Sequence, residues 1–324
     1  MSASDADGLH VVVGASGGTG SALVRELVRR GRRVRAVNRS GRVSAPNGVE
    51  VAAGDATDAE RMREVCQGAG VVYNAVNVPF VQWRSGFPAV VDAILAGAQA
   101  ADARMVFVDD TWMYGAVDEP MTEGMPHRPV SDKGVLRAWL AERVLAAHAR
   151  GDVRTVIGRA PELYGPAVES FLGRNVFGQA VRGRRALWVG KMDLPLGPMF
   201  IDDFASGLAD LGEHQAAEGG AWHIPTPAPT TARTFLTTVL AETGTAAKAL
   251  RLGDTAIRAL GLAWPVAREG AKMLYQFHQP HSVDSSAFRQ VIGPGKVTSY
   301  EEGIRRTVDW YRGSASRPVT SAGG

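Results

Sequence analysis

Short runs of apolar, mostly β-branched residues alternate along the first half of the chain with longer stretches in which apolar positions recur every three or four residues. The short runs have the composition of buried strands, and the longer stretches have the periodicity of helices that cover a sheet. Such alternation is typical of βαβ units, which right-handed crossovers join into a parallel sheet. The predicted strands are LHVVVGA (9–15), RVRAVNR (33–39), VEVAAGD (49–55), GVVYNAV (70–76), RMVFVDD (104–110) and RTVIGRA (154–160).

This pattern predicts an α/β fold, a Rossmann-type doubly wound parallel sheet with a smaller C-terminal substrate-binding portion. The alternation fades beyond Tyr164, although MFIDDFASGLADLGEH (199–214) has the pattern of a turn into a helix and AWHIP (221–225) that of a short strand. Both segments are expected to pack back on the sheet. The predicted organisation is a dinucleotide-binding domain over 8–166 completed by about 199–225, a substrate-binding portion over 167–198 and 226–313, and flexible tails at 1–7 and 314–324.

A glycine-rich loop, GASGGTG, joins the first predicted strand to the first helix. Gly14 permits a tight turn, Gly17 lets the backbone approach a pyrophosphate, and Gly20 allows close helix packing, while the helix N-terminus faces the anion. Ser16, Gly18 and Thr19 complete the predicted pyrophosphate loop.

The end of the second strand indicates which nicotinamide cofactor is bound. Asn38, Arg39 and Ser40 stand there, without the carboxylate that usually holds the ribose hydroxyls of NAD. A 2′-phosphate would instead meet the Arg39 guanidinium, so the sequence predicts NADP(H). The alternative is that Arg39 is a solvated loop cation. The remaining predicted cofactor contacts are Asp55 and Ala56 toward the adenine and Asn74, Ala75 and Val76 along the path to the nicotinamide.

Composition and charge narrow the possible functions. Hydrophobic residues make up 45% and charged residues 21%, and no apolar run approaches the roughly 20 residues that span a bilayer. The start MSASDADG lacks a signal-peptide pattern and Cys66 is the only cysteine, so we expect a cytoplasmic protein without a membrane partner. The net charge is +3, but the basic residues are spread along the chain, so we expect no nucleic-acid partner. His278 and His281 lack a surrounding ligand cluster, so we expect no metal.

Several motifs in order resemble the extended short-chain dehydrogenase/reductase family, also called the NAD-dependent epimerase/dehydratase family. Besides the glycine loop and Asp55, the chain has Tyr114 with Gly115 after the fifth strand, and GRAPELYGP (158–166) is similar to the family's RxxxxYGP segment. MFIDDFA (199–205) and YEEGIRRTVDWYR (300–312) resemble its FIHVDDxA element and its closing helix. The resemblance implies a nicotinamide-dependent enzyme acting on a small molecule, and by analogy a homodimer.

The chain departs from this family at the catalytic residues. The family's proton donor is a Tyr four residues before a Lys, supported by a Ser or Thr after the fifth strand. In PVSDKGVLRAWLAERVL (129–145), Lys133 falls at the Tyr position and Arg137 at the Lys position, while Asp110 followed by Thr111 stands at the Ser/Thr position. Two cations in the first turns of a helix oppose its dipole, so Asp132, Asp110 or a cofactor phosphate should compensate them.

The predicted catalytic residues are therefore Lys133, Arg137, Asp110, Thr111 and, ranked lower as an acid, Tyr114. Lys133 could serve as the general acid and also border the cofactor, whereas Arg137, which cannot titrate, could bond ribose hydroxyls. The alternative for Lys133 is an exposed lysine at a helix start. The aromatics on segments that border the cleft in relatives predict an apolar or aromatic substrate, the alternative for each being core packing: Phe80, Trp83, Trp112, Trp188 and Phe277.

Three functions are compatible with these residues. The leading hypothesis is an NADP(H)-dependent, carbonyl reductase-like oxidoreductase acting on a small or medium organic molecule. The second is a non-redox isomerase, cyclase or dehydratase in which Asp110 and Lys133 form an acid/base pair. The third is a non-catalytic sensor that binds NADP(H). Consumption of NADPH with product supports the first, product without consumption the second, and binding without product the third.

Overall fold

A computed structural model of the chain describes residues 8–315. Each predicted apolar run forms a strand, and so does the later AWHIP segment, so the predicted fold class is confirmed. The strands are β1 (Leu9–Val13), β2 (Arg33–Asn38), β3 (Glu50–Ala53), β4 (Ala69–Asn74), β5 (Arg104–Asp109), β6 (Thr155–Arg159), β7 (Leu163–Tyr164), β8 (Leu187–Val189), β9 (Pro195–Leu196), β10 (Met199–Phe200), β11 (Ala221–His223), β12 (Thr230–Thr231) and β13 (Leu250–Leu252).

Seven strands form one parallel sheet in the order β11-β6-β5-β4-β1-β2-β3. The order reverses at β1, because β2 lies on one side of it and β4 on the other. Val13 is in register with Val37 and with Asn74, so the carboxyl ends of these three strands meet at one edge. In a doubly wound sheet this edge, beside the strand where the order reverses, is where a ligand crevice forms.

Helices cover both faces of the sheet. The helices are α1 (Gly18–Arg29), α2 (Ala59–Val65), α3 (Trp83–Ala100), α4 (Asp132–Ala149), α5 (Gly178–Ala180), α6 (Ile201–Glu213), α7 (Ala232–Thr243), α8 (Asp254–Ala263), α9 (Pro265–Ala271), α10 (Ser286–Val291) and α11 (Tyr300–Ala315). Apolar side chains of α1 and α6 fill the core on one face, and those of α2, α3 and α4 fill the core on the other. Each core excludes water from one side of the sheet, which fixes the position of the strand ends.

The later part of the chain adds three small two-stranded pairings, β7 with β10, β9 with β12 and β8 with β13. The segment at 199–214 forms α6 as predicted, and β11 extends the main sheet beside β6. The predicted C-terminal tail begins too early, because residues 314 and 315 belong to α11. The predicted tails at 1–7 and 316–324 lie outside the described residues.

Candidate active site

The glycine loop packs too closely for side chains at three positions, Gly14, Gly18 and Gly20. Gly14 has φ 89°, and a Cβ there would lie 2.6 Å from the carbonyl oxygen of Ala75, while a Cβ on Gly20 would collide with the carbonyl oxygen of Gly14. Gly17 caps α1 without a side-chain hydrogen bond, so the first N–H groups of the helix face the crevice. Ser16 is exposed, whereas Gly18 and Thr19 are half-buried. The loop has the shape that a dinucleotide pyrophosphate requires.

The loop after β2 is ordered by the side chain of Asn38. Its Nδ2 donates to the carbonyl oxygen of Arg42 over 2.9 Å, and its Oδ1 accepts from the backbone N–H of Arg42 over 3.2 Å. Ser40 Oγ accepts from the same N–H over 3.3 Å. Arg39 is exposed, and within residues 8–315 its guanidinium has no hydrogen-bond partner. Asn38 and Ser40 therefore shape the turn, and Arg39 is a side chain of this loop that is free to bind an anion.

The predicted residues after β3 and β4 lie on either side of this loop. The Asp55 carboxylate accepts hydrogen bonds from the backbone and hydroxyl of Thr57, which lower its pKa, and the charge of Arg39 lowers it further. Ala56 and Ala75 are buried, and Val76 is half-buried.

Two buried polar atoms at the strand ends lack partners in the described part of the chain. They are Nδ2 of Asn74, at the end of β4, and Oγ1 of Thr111, just beyond β5. Buried polar groups in folded proteins are almost always paired. These unpaired atoms, together with the glycine cradle, fit a bound nicotinamide cofactor.

The side chain of Lys133 is buried at the start of α4, only 7% exposed. Its Nζ lies 2.9 Å from Oε2 of Glu269 on α9 and 4.1 Å from the ring centre of Phe80. The alternative of an exposed helix-start lysine is therefore wrong. Asp132, one expected counter-charge, pairs instead with Lys272 over 3.0 Å. The compensating anion for Lys133 is Glu269, which the sequence did not point to.

Arg137 lies one turn further along α4 and is also buried. Its Nη2 is 2.6 Å from Oδ1 of Asp109, and its Nε is 3.2 Å from Oδ2 of Asp110. Burial and, to a smaller extent, the neighbouring Asp109 carboxylate raise the pKa of Asp110 to about 6, against the lowering effect of Arg137. A carboxyl group that titrates near neutral pH at a strand end has the properties of a general acid or base.

A chain of buried polar groups continues from Asp109 away from α4. Asp109 Oδ2 lies 3.0 Å from Nε of Arg159, whose Nη1 donates to the Tyr114 hydroxyl over 2.6 Å. The same hydroxyl lies 2.9 Å from Nε2 of His223. Burial raises the pKa of Tyr114 and lowers that of His223 to about 4. Tyr114 is thus a structural residue inside a closed network, which corrects its prediction as an acid at the crevice.

The predicted substrate aromatics separate into two clusters. Phe80, Trp83 and Trp112 pack together near Lys133, with the two indoles stacked at 5.2 Å between ring centres. Trp188 and Phe277 form the second cluster, with ring centres 5.4 Å apart. Trp188 is only 2% exposed and its Nε1 donates to a backbone carbonyl, so it packs in the core. This fits the alternative of core packing, and its contact with a substrate stays a prediction, limited to the small cavity that it lines.

Two acids of the site were missed from the sequence. Glu269 lies far along the chain, on a helix whose docking against α4 no local pattern encodes. Asp109 had a signal, since it forms an acidic doublet with Asp110 at the end of β5 and the family motif places Arg159 on the adjacent strand. A buried arginine requires a carboxylate partner, so that doublet was the place to look for one.

The described residues indicate neither a metal site nor a reactive cysteine nor a membrane-spanning helix. Residues 8–315 contain no cluster of three or more His, Cys, Asp or Glu side chains that could hold a metal ion, and His278 pairs with Asp254 over 2.9 Å. Burial raises the pKa of the Cys66 thiol to about 12, as expected of a packed thiol. None of the described helices combines the length and apolar character needed to cross a bilayer.

Several solved structures of known proteins have the same fold as this chain. An epimerase, Mth375, from Methanothermobacter thermautotrophicus superimposes with a TM-score of 0.80 at 16% identity, over 95% of this chain and 93% of that chain. The UDP-glucose 4-epimerase of Thermotoga maritima, solved with UDP-glucose, has a TM-score of 0.78 at 18% identity, over 95% of this chain and 100% of that chain. The enzyme of the same name from Thermus thermophilus, solved with NAD, has a TM-score of 0.76 at 19% identity, over 94% and 99% of the two chains.

At these identities the structural matches establish the fold alone. Among curated proteins, no sequence matches this chain significantly. The family model of the NAD dependent epimerase/dehydratase family matches residues 10–221, which include the glycine loop, the acidic doublet, the altered catalytic helix and the YGP segment. The chain belongs to the NAD-dependent epimerase/dehydratase family.

Proposed function

We propose that the protein is an NADP(H)-dependent oxidoreductase that reduces a carbonyl group on a small or medium, apolar or aromatic organic molecule. The observation that carries this proposal is the buried Lys133, held 2.9 Å from Glu269 at the position where the family has its proton-donating tyrosine. A proton-bearing group has been kept at that position, although its chemical type has changed.

The residues that would hold the cofactor follow the edge of the sheet where the strand order reverses. The glycine loop from Gly14 to Gly20 would hold the pyrophosphate, and Asp55 would lie toward the adenine. Arg39 and Ser40 would bind the 2′-phosphate, which favours NADP(H), and the unpaired amide of Asn74 would face the nicotinamide side. When bound, NADPH would supply the hydride.

Lys133 would supply the proton. Given the hydride that the cofactor would supply to the carbonyl carbon, Nζ would donate this proton to the substrate oxygen, so the carbonyl group would become an alcohol and Lys133 would be left neutral. Glu269 Oε2, itself partly exposed, would orient the ammonium group and relay a proton back from solvent. The rings of Phe80 and Trp83, with centres 4.1 and 5.6 Å from Nζ, exclude water and contact the ammonium group through their faces.

The aromatic walls support an apolar substrate. Phe80, Trp83 and Trp112 surround the position of Lys133 and offer ring faces rather than charges. Rings of this kind contribute most to binding by burying apolar area.

The homodimer that the resemblance implies by analogy would need an exposed apolar surface. Val135 and Trp139, which are exposed one turn apart on α4, offer such a surface.

A second function, a non-redox isomerase or dehydratase, is favoured by Asp110. Its pKa of about 6 lets it act as base or acid near neutral pH, and the structural neighbours include epimerases.

Incubation with NADPH and a panel of aromatic aldehydes and ketones separates the functions. Loss of NADPH matched by alcohol formation supports the reductase. Product formed without net NADPH loss supports the non-redox enzyme, and tight NADPH binding without any product supports a sensor.

A further inference from the structure

A small internal cavity lies behind the aromatic cluster of Trp188 and Phe277. The space between its atoms is about 250 Å³, part of it open to solvent, and the cavity is narrow. The walls are apolar on most sides, and the polar atoms come from three side chains. Besides Trp188 and Phe277, it is lined by Leu172, Leu196, Gln276, His281 and Glu162.

Glu162 is the charged residue of this cavity. The backbone of Phe171 and Leu172 and the side chain of Ser170 lie beside its carboxylate and lower its pKa. Burial nevertheless raises its pKa to about 7. Its Oε1 is inaccessible to solvent and has no hydrogen-bond partner among residues 8–315. A buried acceptor without a partner costs about 1–3 kcal/mol, so a donor that reaches it is bound favourably.

None of the described residues that line the cavity is a lysine or an arginine. His281, its other titratable residue, is buried, and burial lowers its pKa to about 4, so it is neutral near pH 7. A phosphate group there would lie beside a carboxylate without a compensating charge, which is strongly unfavourable in a buried site. The cavity therefore suits an uncharged or cationic donor and opposes an anion.

One hydrogen bond connects this cavity with the candidate active site. Gln276, in its wall, accepts from Nε1 of Trp112 over 3.1 Å. Trp112 in turn stacks on Trp83, whose ring lies 5.6 Å from Nζ of Lys133. A hydrogen bond and a stacking contact therefore link the wall of the cavity to the ring beside the proposed proton donor.

We propose that this cavity is the distal end of the substrate site and that it binds the hydroxyl or amino group of an apolar substrate lacking phosphate, with Oε1 of Glu162 as the acceptor. The proposal rests on the proposed function, because it extends the same substrate site. It distinguishes this chain from the structural neighbours solved with UDP-glucose, whose ligand carries two phosphates. The half-buried Phe277 must move outward as the substrate enters, because the described cavity is narrow.

Three probes of equal carbon skeleton test the proposal by binding alone. 2-Phenylethanol carries the donor, ethylbenzene lacks it, and 2-phenylethyl phosphate replaces it with an anion. The full chain is labelled with 5-fluorotryptophan, and the ¹⁹F resonance of Trp188 among the seven tryptophans is assigned with Trp188→Phe. Because no turnover is measured, a protein that fails to consume NADPH can still bind the alcohol here, and the two proposals fail separately.

The alcohol is expected to shift the Trp188 resonance and to bind at least about tenfold more tightly than either of the other probes. Glu162→Leu should reduce the affinity for the alcohol roughly tenfold and leave ethylbenzene unchanged, whereas Glu162→Gln, which keeps an acceptor oxygen, should lose less. Equal binding of the phosphate, no shift of Trp188, or full alcohol affinity in Glu162→Leu overturns the proposal. If Glu162→Leu does not fold, the probe series on the unaltered chain decides.

Discussion

Nη2 of Arg137 lies 2.6 Å from Oδ1 of Asp109, and both side chains are buried. The other oxygen of Asp109 contacts Arg159 over 3.0 Å, so one carboxylate joins the cations of α4 and β6. Removing one partner from a buried ionic cluster leaves the others charged and unsatisfied. Asp109→Asn is therefore expected to lower the free energy of unfolding by about 3–5 kcal/mol, measured by urea denaturation.

Asp193→Asn is the matched control, because Asp193 pairs with Arg233 on the surface. Exposed ion pairs contribute little, so this variant should unfold at nearly the urea concentration of the unaltered chain. If both variants unfold alike, the Asp109 cluster does not hold α4 to the sheet. Its arginines would then be free to serve the cofactor.

Arg39 is expected to set the cofactor preference. Arg39→Ala should weaken NADPH binding by roughly tenfold to a hundredfold, since a charge-assisted phosphate contact contributes roughly 1.5–3 kcal/mol, and should leave NADH binding unchanged. Calorimetric titration of both cofactors measures this. Arg33→Ala removes the same charge from the opposite end of β2 and should change neither affinity. Equal affinities for the two cofactors in the unaltered chain would remove the basis for NADP(H).

The strand ends and the glycine loop could be predicted because they are encoded locally. The period of the apolar runs fixes β1 to β6, and the Gly14 and Gly20 positions tolerate no side chain. The i, i+4 spacing likewise put Lys133 and Arg137 on one face of α4. Each of these features depends on residues within one or two turns of one another.

The partners of those cations could not be predicted, because they depend on packing between distant segments. Lys133 pairs with Glu269, and no periodicity in the sequence brings α9 over the start of α4. The core position of Trp188 has the same origin, since its indole is covered by Phe171 and Phe277 from two separate segments. An aromatic residue on a predicted loop carries no local sign of which side chains will cover it.

The raised pKa of Glu162 predicts a pH dependence of stability. Between pH 4.5 and about 7 the unfolded chain loses the Glu162 proton while the folded chain keeps it, so stability falls as pH rises. Glu162→Gln removes this effect. Its stability relative to the unaltered chain should therefore increase by roughly 2–3 kcal/mol between pH 4.5 and pH 8. Urea denaturation across this range measures the stability difference between the variant and the unaltered chain. Glu169→Gln, which removes an exposed carboxylate nearby, should show a stability difference that does not change with pH.

The pair of Lys133 and Glu269 leads to the sharpest prediction about catalysis. Lys133→Met should lower kcat for carbonyl reduction by about a hundredfold or more, as expected for loss of a general acid, while the KM for NADPH changes little. Glu269→Gln keeps the lysine but removes the anion that orients it. It should lower kcat by about tenfold and alter the pH profile of kcat.

Asp132→Asn distinguishes this role from simple docking of α9. Asp132 pairs with Lys272 over 3.0 Å, and Lys272 Nζ also lies 3.1 Å from Oε1 of Glu269, so Asp132 is linked to the Lys133 ammonium group only through two intervening side chains. If Glu269 acts through Lys133, Asp132→Asn should leave kcat within about twofold of the unaltered enzyme. If Glu269 only holds α9 against α4, the two variants should lose activity together and share one pH profile. In that case, or if Lys133→Met retains full activity, the proton must come from Asp110, whose pKa of about 6 is near enough to neutrality for that role.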